Sequence, residues 1–148
     1  MSDNIYIWEG GNGNVAHASM TLYGGTHISW WPKEDKSKSP ARHLMIYVRD
    51  AGPADSYHDD SEWKGKAADH TIQIPGRLLD MVAIKIWWRN FKDRAKNCLL
   101  DTNGCTVIYE ALRAGGAANY VDIPHNPLGT PASLKTYALK LKRSMEGP

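Results

Sequence analysis

The chain has 148 residues, enough for one domain with a core of ordinary size, and no internal repeat divides it. Its 18 basic and 16 acidic residues leave a formal charge of +2, too near balance to point to nucleic acid or a membrane surface. No apolar run reaches the roughly 18 residues of a membrane span, and Met1-Ser2-Asp3-Asn4 lacks the basic and apolar regions of a secretory signal, so a soluble chain without a Sec signal is expected. Two cysteines, Cys98 and Cys105, are too few for a disulfide framework and lack the further ligands of a zinc motif. Free thiols, with no metal and no cofactor, are the expectation.

Taken in order, Asn4–Trp8 has strand character and is followed by the glycine-rich turn Gly10–Asn14. Ala16–Leu22 alternates, with Ala16, Ala18, Met20 and Leu22 on one face and His17, Ser19 and Thr21 on the other. Gly24-Gly25 turns the chain into a second strand, Thr26–Trp31, ended by Pro32. A polar, basic loop, Lys33–Arg42, leads to a third strand, His43–Val48. Residues 49–68 read as an exposed insertion, in which His58, Asp59 and Asp60 belong to a solvated turn; with His70 they show no ligand spacing that a metal requires. Thr71–Ile74 is a short strand closed by Pro75-Gly76. From Arg77 to about Arg94 the spacing predicts a helix whose core stripe is Leu78, Leu79, Val82, Ile86 and Trp87.

A second helix is predicted over 105–114: Val107, Ile108, Ala111 and Leu112 recur at helical spacing, Thr102 or Asn103 caps the start, and Gly115-Gly116 stops it. Pro131 opens the last helix, through Leu134, Tyr137, Ala138 and Leu141. Strands cluster early and helices late, so the class is α+β with a mainly antiparallel sheet.

The chemistry suggested by this order is that of a thiol. A cysteine in the first turn of a helix sits where the unpaired N–H groups are electropositive, which favours thiolate over thiol. A histidine on a neighbouring strand can take the proton and return it to a leaving group. His17, on the polar face of its strand among small residues, is the candidate base for Cys105. The third group should orient the imidazole from the next strand, and parity decides which residues can serve. A two-residue turn would put Thr26, Ile28 and Trp30 on the face of His17, whereas a three-residue loop pairing Leu22 with Thr26 puts His27, Ser29 and Trp31 there. The three-residue loop is the expectation. Trp30 and Trp31 then point to opposite faces, one to the core and one to the cleft.

The hairpin Val15–Leu22 with Thr26–Pro32, and the later Leu99–Ile108 with Ala111–Gly116, resemble the circularly permuted papain-like cysteine hydrolases, relatives of NlpC-type peptidases and of the lecithin retinol acyltransferase group. In their permuted order histidine precedes cysteine, as His17 precedes Cys105. The resemblance implies a papain-like fold over residues 1–148, with Cys105 as nucleophile, His17 as base and a third polar position near Ser29, His27 lying one strand step earlier. Relatives often carry asparagine directly before the nucleophile; here Gly104 intervenes between Asn103 and Cys105. Similar domains occur in secreted bacterial toxins and effectors, which implies delivery by a specialised secretion system and a cognate inhibitor or immunity protein.

The expected activity is hydrolysis of an amide or ester in a protein, peptide or acyl-lipid substrate, through an acyl-thiol intermediate. Two alternatives stand beside it: acyl transfer on the same site, and a non-catalytic module that binds a peptide or glycan. Composition does not choose among them.

Overall fold

The computed structural model describes residues 1–10, 16–31, 52–53, 55–97 and 103–147. The expected loop Lys33–Arg42, the expected strand His43–Val48 and Cys98 lie outside the described residues. Within them the order is β1 (Ser2–Trp8), β2 (His17–Thr21), β3 (His27–Trp31), β4 (Gly52–Pro53), α1 (Tyr57–Lys64), β5 (His70–Pro75), α2 (Met81–Asn97), α3 (Gly104–Ala114), a 3-10 turn (Ala117–Asn119) and α4 (Pro131–Glu146). The class is α+β. The described strands form an antiparallel sheet in the order β4-β3-β2-β1-β5.

The hairpin β2–β3 sets the register on which the rest depends. Leu22 N–H donates to Thr26 O at 2.8 Å, leaving Tyr23-Gly24-Gly25 as a three-residue loop, and Ser19 pairs with Ser29, Met20 with Ile28 and Thr21 with His27. The parity expected from the sequence is therefore the one adopted. Buried Asp3 fixes the turn to β1, its Oδ1 accepting from Tyr23 N–H at 2.8 Å.

Because side chains alternate across a strand, the sheet has two different faces. One is apolar: Ile5, Ile7, Ala18, Met20, Ile28, Trp30, Ile72 and Ile74 pack with α2, α3 and α4 into one core. Leu112, Ile108, Leu134 and Leu141 are fully covered there, and burial of each side chain contributes about 2 kcal/mol. Trp30 meets Phe91 edge to face at 5.1 Å. The other face carries Tyr6, Trp8, His17, Ser19, His27, Ser29 and Trp31, and α1 lies over it.

Two sequence expectations are corrected. Residues 57–64 are a helix against the sheet, not part of an exposed insertion. Ser56 caps it by accepting from Asp59 N–H, and Tyr57 packs on Tyr6 and Trp8. In α2 the buried stripe is Ile84, Trp88 and Phe91, with Leu79 just before the helix; Val82 and Ile86 are 63% and 51% exposed. The segment Val82–Trp88 is apolar at nearly every position, so its spacing fits several phases, and the aromatic pair Trp88 and Phe91, with more area to bury, sets the one adopted.

The last two helices follow their capping signals. Asn103 Oδ1 accepts from Thr106 N–H at 2.9 Å, and beyond α3 Gly116 takes the left-handed conformation at φ +88°. Thr130 caps α4, and Pro131 occupies its first turn, where a missing N–H is harmless.

Candidate active site

The polar face of the sheet converges on one carboxylate, which lies in a buried helix turn and not in the solvated turn expected from the sequence. Asp60, in the middle of α1, is 0% exposed. Its Oδ1 accepts from Ser29 Oγ at 2.7 Å and Trp31 Nε1 at 2.7 Å, with His17 Nε2 at 3.3 Å; its Oδ2 accepts from His27 Nε2 at 2.7 Å. A buried charge is tolerated only when hydrogen-bonded or paired. Burial alone would raise the Asp60 carboxyl, but hydrogen bonds from His17 and His27, the charge of His17 and the Ser29 hydroxyl outweigh it and hold the group well below the usual carboxylate range. Asp60 is an anion that only accepts.

That fixes the protons around it. Ser29 gives its single hydrogen to Asp60, so at 3.0 Å its oxygen accepts from His17 Nε2–H. The network thus places a hydrogen of His17 on Nε2. His27 donates from Nε2–H to Asp60, and its Nδ1 shares a hydrogen bond of 2.8 Å with Thr21 Oγ1. Trp31 adds a second constraint on His17, its ring stacking on the imidazole at 3.9 Å between centroids and 23° between planes. On the outer side Trp63 meets Trp31 edge on at 5.5 Å.

The Nδ1 side of His17 faces the start of α3. A Cβ placed on Gly104 would lie 2.8 Å from His17 Nδ1 and 2.9 Å from Ala18 O, so only glycine allows the helix to approach β2 this closely. This gives the glycine between Asn103 and Cys105 a physical reason. Cys105 is the next residue, about 100° further round the helix. Its side chain joins the apolar core, 2% exposed, one turn before Tyr109.

The thiol does not have the character expected of a helix start. Desolvation pushes Cys105 up to about 12, above the usual cysteine value, so the group is a neutral thiol at physiological pH. Placing the sulfur in the core outweighs the partial charge of the helix N-terminus, which contributes only about 0.3–1 kcal/mol at such a site. The expected residues thus fall into two sets. His17, Ser29 and His27 meet at one carboxylate, and Cys105 belongs to the helix turn that touches His17 through Gly104.

Asp60 and Trp31 complete the arrangement. For Trp31 the hairpin parity already implied the correct face. For Asp60 the available signal was the spacing Tyr57, Asp60, Trp63, an i, i+3, i+6 stripe with an aromatic residue on each side. His58 is exposed and pairs with Glu62 at 3.0 Å, away from this cluster.

In comparison with known proteins, no family model matches the chain, and neither a curated protein nor a solved structure matches it.

Proposed function

We propose that the chain is a thiol hydrolase of the permuted papain-like kind, with Cys105 as nucleophile, His17 as base, and Asp60 and Ser29 orienting the imidazole. The observation that carries this reading is the His17 ring: its Nε2 is tied to Ser29 and Asp60, and its Nδ1 is turned to the helix start that bears Cys105. A general base needs that orientation.

In the first step Sγ bonds to the carbonyl carbon of an amide or ester while the thiol proton passes to Nδ1. The proton then goes to the departing amine or alcohol as its bond to carbon breaks. In the second step water gives a proton to Nδ1 and its oxygen attacks the acyl-thiol; the C–S bond breaks and the proton returns to sulfur. Because the resting thiol is neutral, His17 removes the proton during attack rather than holding a preformed ion pair. His27 supports the site at one remove, as a donor to Asp60. Protein, peptide and acyl-lipid substrates all fit this chemistry, and an amine acceptor in place of water would make the same site a transferase.

A second reading, a binding module that does not use the thiol, is favoured by the burial of Cys105. The rate of alkylation of Cys105 by a small neutral electrophile, followed against pH in a Cys98→Ala background, separates the two. The hydrolase reading expects reaction near neutral pH that is lost in His17→Ala. A thiol that stays inert whatever stands at position 17 sinks it and leaves the module.

A further inference from the structure

A groove of about 480 Å³ runs between α3, the 121–130 loop and α4. That volume is in the range of pockets that hold small ligands, roughly 300–1,000 Å³. Its walls are mostly apolar and firmly held. Tyr109 and Tyr137 stand 5.6 Å apart; the Tyr109 hydroxyl is bonded to Ser133 Oγ at 2.6 Å, and the Tyr137 hydroxyl donates to Val121 O at 2.7 Å. Arg113 donates to Pro124 O at 2.8 Å and fixes the loop, from which Leu128 projects 69% exposed. Tyr109 and Tyr137 are only 2% and 6% exposed and form the floor, so the open apolar surface is the lip that Leu128 makes above them.

The groove ends at Lys140, which also borders a shallow depression of about 320 Å³ lined by Arg143, Ser144 and Gly147. Lys140 and Arg143 lie at i and i+3 on α4, on one exposed strip of the helix. Among the described residues neither forms an ion pair; the nearby Glu146 is taken by Lys142 at 3.1 Å. An apolar slot thus opens onto two cations that have no carboxylate partner among the described residues. Asp122 is the one carboxylate of the lining, suited to a backbone N–H of a ligand.

We infer that this groove binds an extended peptide, with an apolar side chain against Leu128 and Pro124 over the covered rings of Tyr109 and Tyr137, and a following carboxylate on Lys140 and Arg143. A peptide fits better than a simple fatty acid, because the lining offers backbone-directed polar groups, Asp122 and Thr136, beside the apolar wall. The inference needs no thiol chemistry. If Cys105 is a nucleophile, the groove begins one helical turn from it, at Tyr109, and is placed to hold one arm of a substrate.

The test is a ¹H–¹⁵N shift titration of the full chain carrying Cys105→Ala, which removes the thiol and leaves the groove. The probes are acetyl-Phe-Glu with a free terminus, its neutral counterpart acetyl-Phe-Gln-amide, and decanoate. The expected result is saturable shifts clustered over residues 121–140 with acetyl-Phe-Glu and roughly tenfold weaker binding of the neutral peptide, the scale of two exposed ion pairs. Lys140→Glu with Arg143→Glu should weaken the acidic peptide by a similar factor. Ala132→Trp, which fills the groove from an exposed position, should abolish binding of both peptides. Scattered or absent shifts, equal binding of both peptides unaffected by charge reversal, or saturation by decanoate alone would each overturn the inference. Because the readout is binding, a failed hydrolase reading leaves it standing, and its own failure leaves the hydrolase reading untouched.

Discussion

The two faces of the sheet are equally buried and are held by different physics. On the apolar face, Ile5, Met20, Ile28 and Ile74 meet three helices through contacts with no preferred direction, and stability follows the area removed from water. On the polar face a single short helix brings one carboxylate to four donors, and stability follows from angles and proton positions. The first kind of contact tolerates exchange among residues of similar volume. The second fails when any partner is left without its mate.

The difference can be broken most directly at Asp60. Asp60→Ala leaves two imidazoles, a hydroxyl and an indole N–H without their acceptor, and chemical denaturation should show a loss of about 4 kcal/mol, the scale of a broken buried ion pair. Leu112→Ala on the apolar face should cost about 3 kcal/mol by the same measurement, the ordinary figure for a truncated core leucine. The two variants should differ more clearly in structure than in stability: Leu112→Ala keeps the His17 ring in place, whereas Asp60→Ala frees it, which imidazole ¹⁵N shifts would detect.

Gly104→Ala tests the point where the faces meet. Its methyl would press on His17 Nδ1 and on the backbone of Ala18, which cannot yield as a flexible side chain would, and a loss of about 2 kcal/mol is expected. Asn103→Ala, which removes the cap of α3 without touching either face, should cost about 1 kcal/mol.

Acid sharpens the comparison without a structural change. The folded Asp60 carboxyl lies below its unfolded value of 3.8, so its contribution is complete above that value and is lost as pH falls through the lower folded one. Stability measured in denaturant between about pH 2 and 6 should therefore drop on the acid side, and Asp60→Asn should flatten that part of the drop. Leu112→Ala should shift the whole curve down and leave its slope as it was.

The legible parts of the fold are those where a local rule has a single solution. Tyr23-Gly24-Gly25 admits few loops, and the loop length sets the parity of His17, Ser29 and Trp31. Asn103, Gly116, Thr130 and Pro131 mark helix ends through their own hydrogen bonds and dihedral angles. The phase of α2 was not legible because apolar residues surround it, so its orientation depends on what the rest of the chain offers to Trp88 and Phe91. Asp60 was hidden for the opposite reason. Its helix, Tyr57–Lys64, is charged or polar at most positions, and nothing local says that one of its acids is covered by strands 29 to 43 residues earlier in the chain. The neutral state of Cys105 has the same origin: the helix start is visible in sequence, the depth of the sulfur is not.

The bonding around Asp60 also limits what that residue can do. A carboxylate has about four lone-pair sites; three protein donors crowd Oδ1 of this one, and Oδ2 accepts from His27 Nε2. Helix and sheet together leave it 0% exposed. Any incoming molecule would have to part α1 from the sheet to touch it. Whatever Asp60 contributes to chemistry it must therefore contribute by proxy, as a fixed charge felt through the far nitrogen of His17.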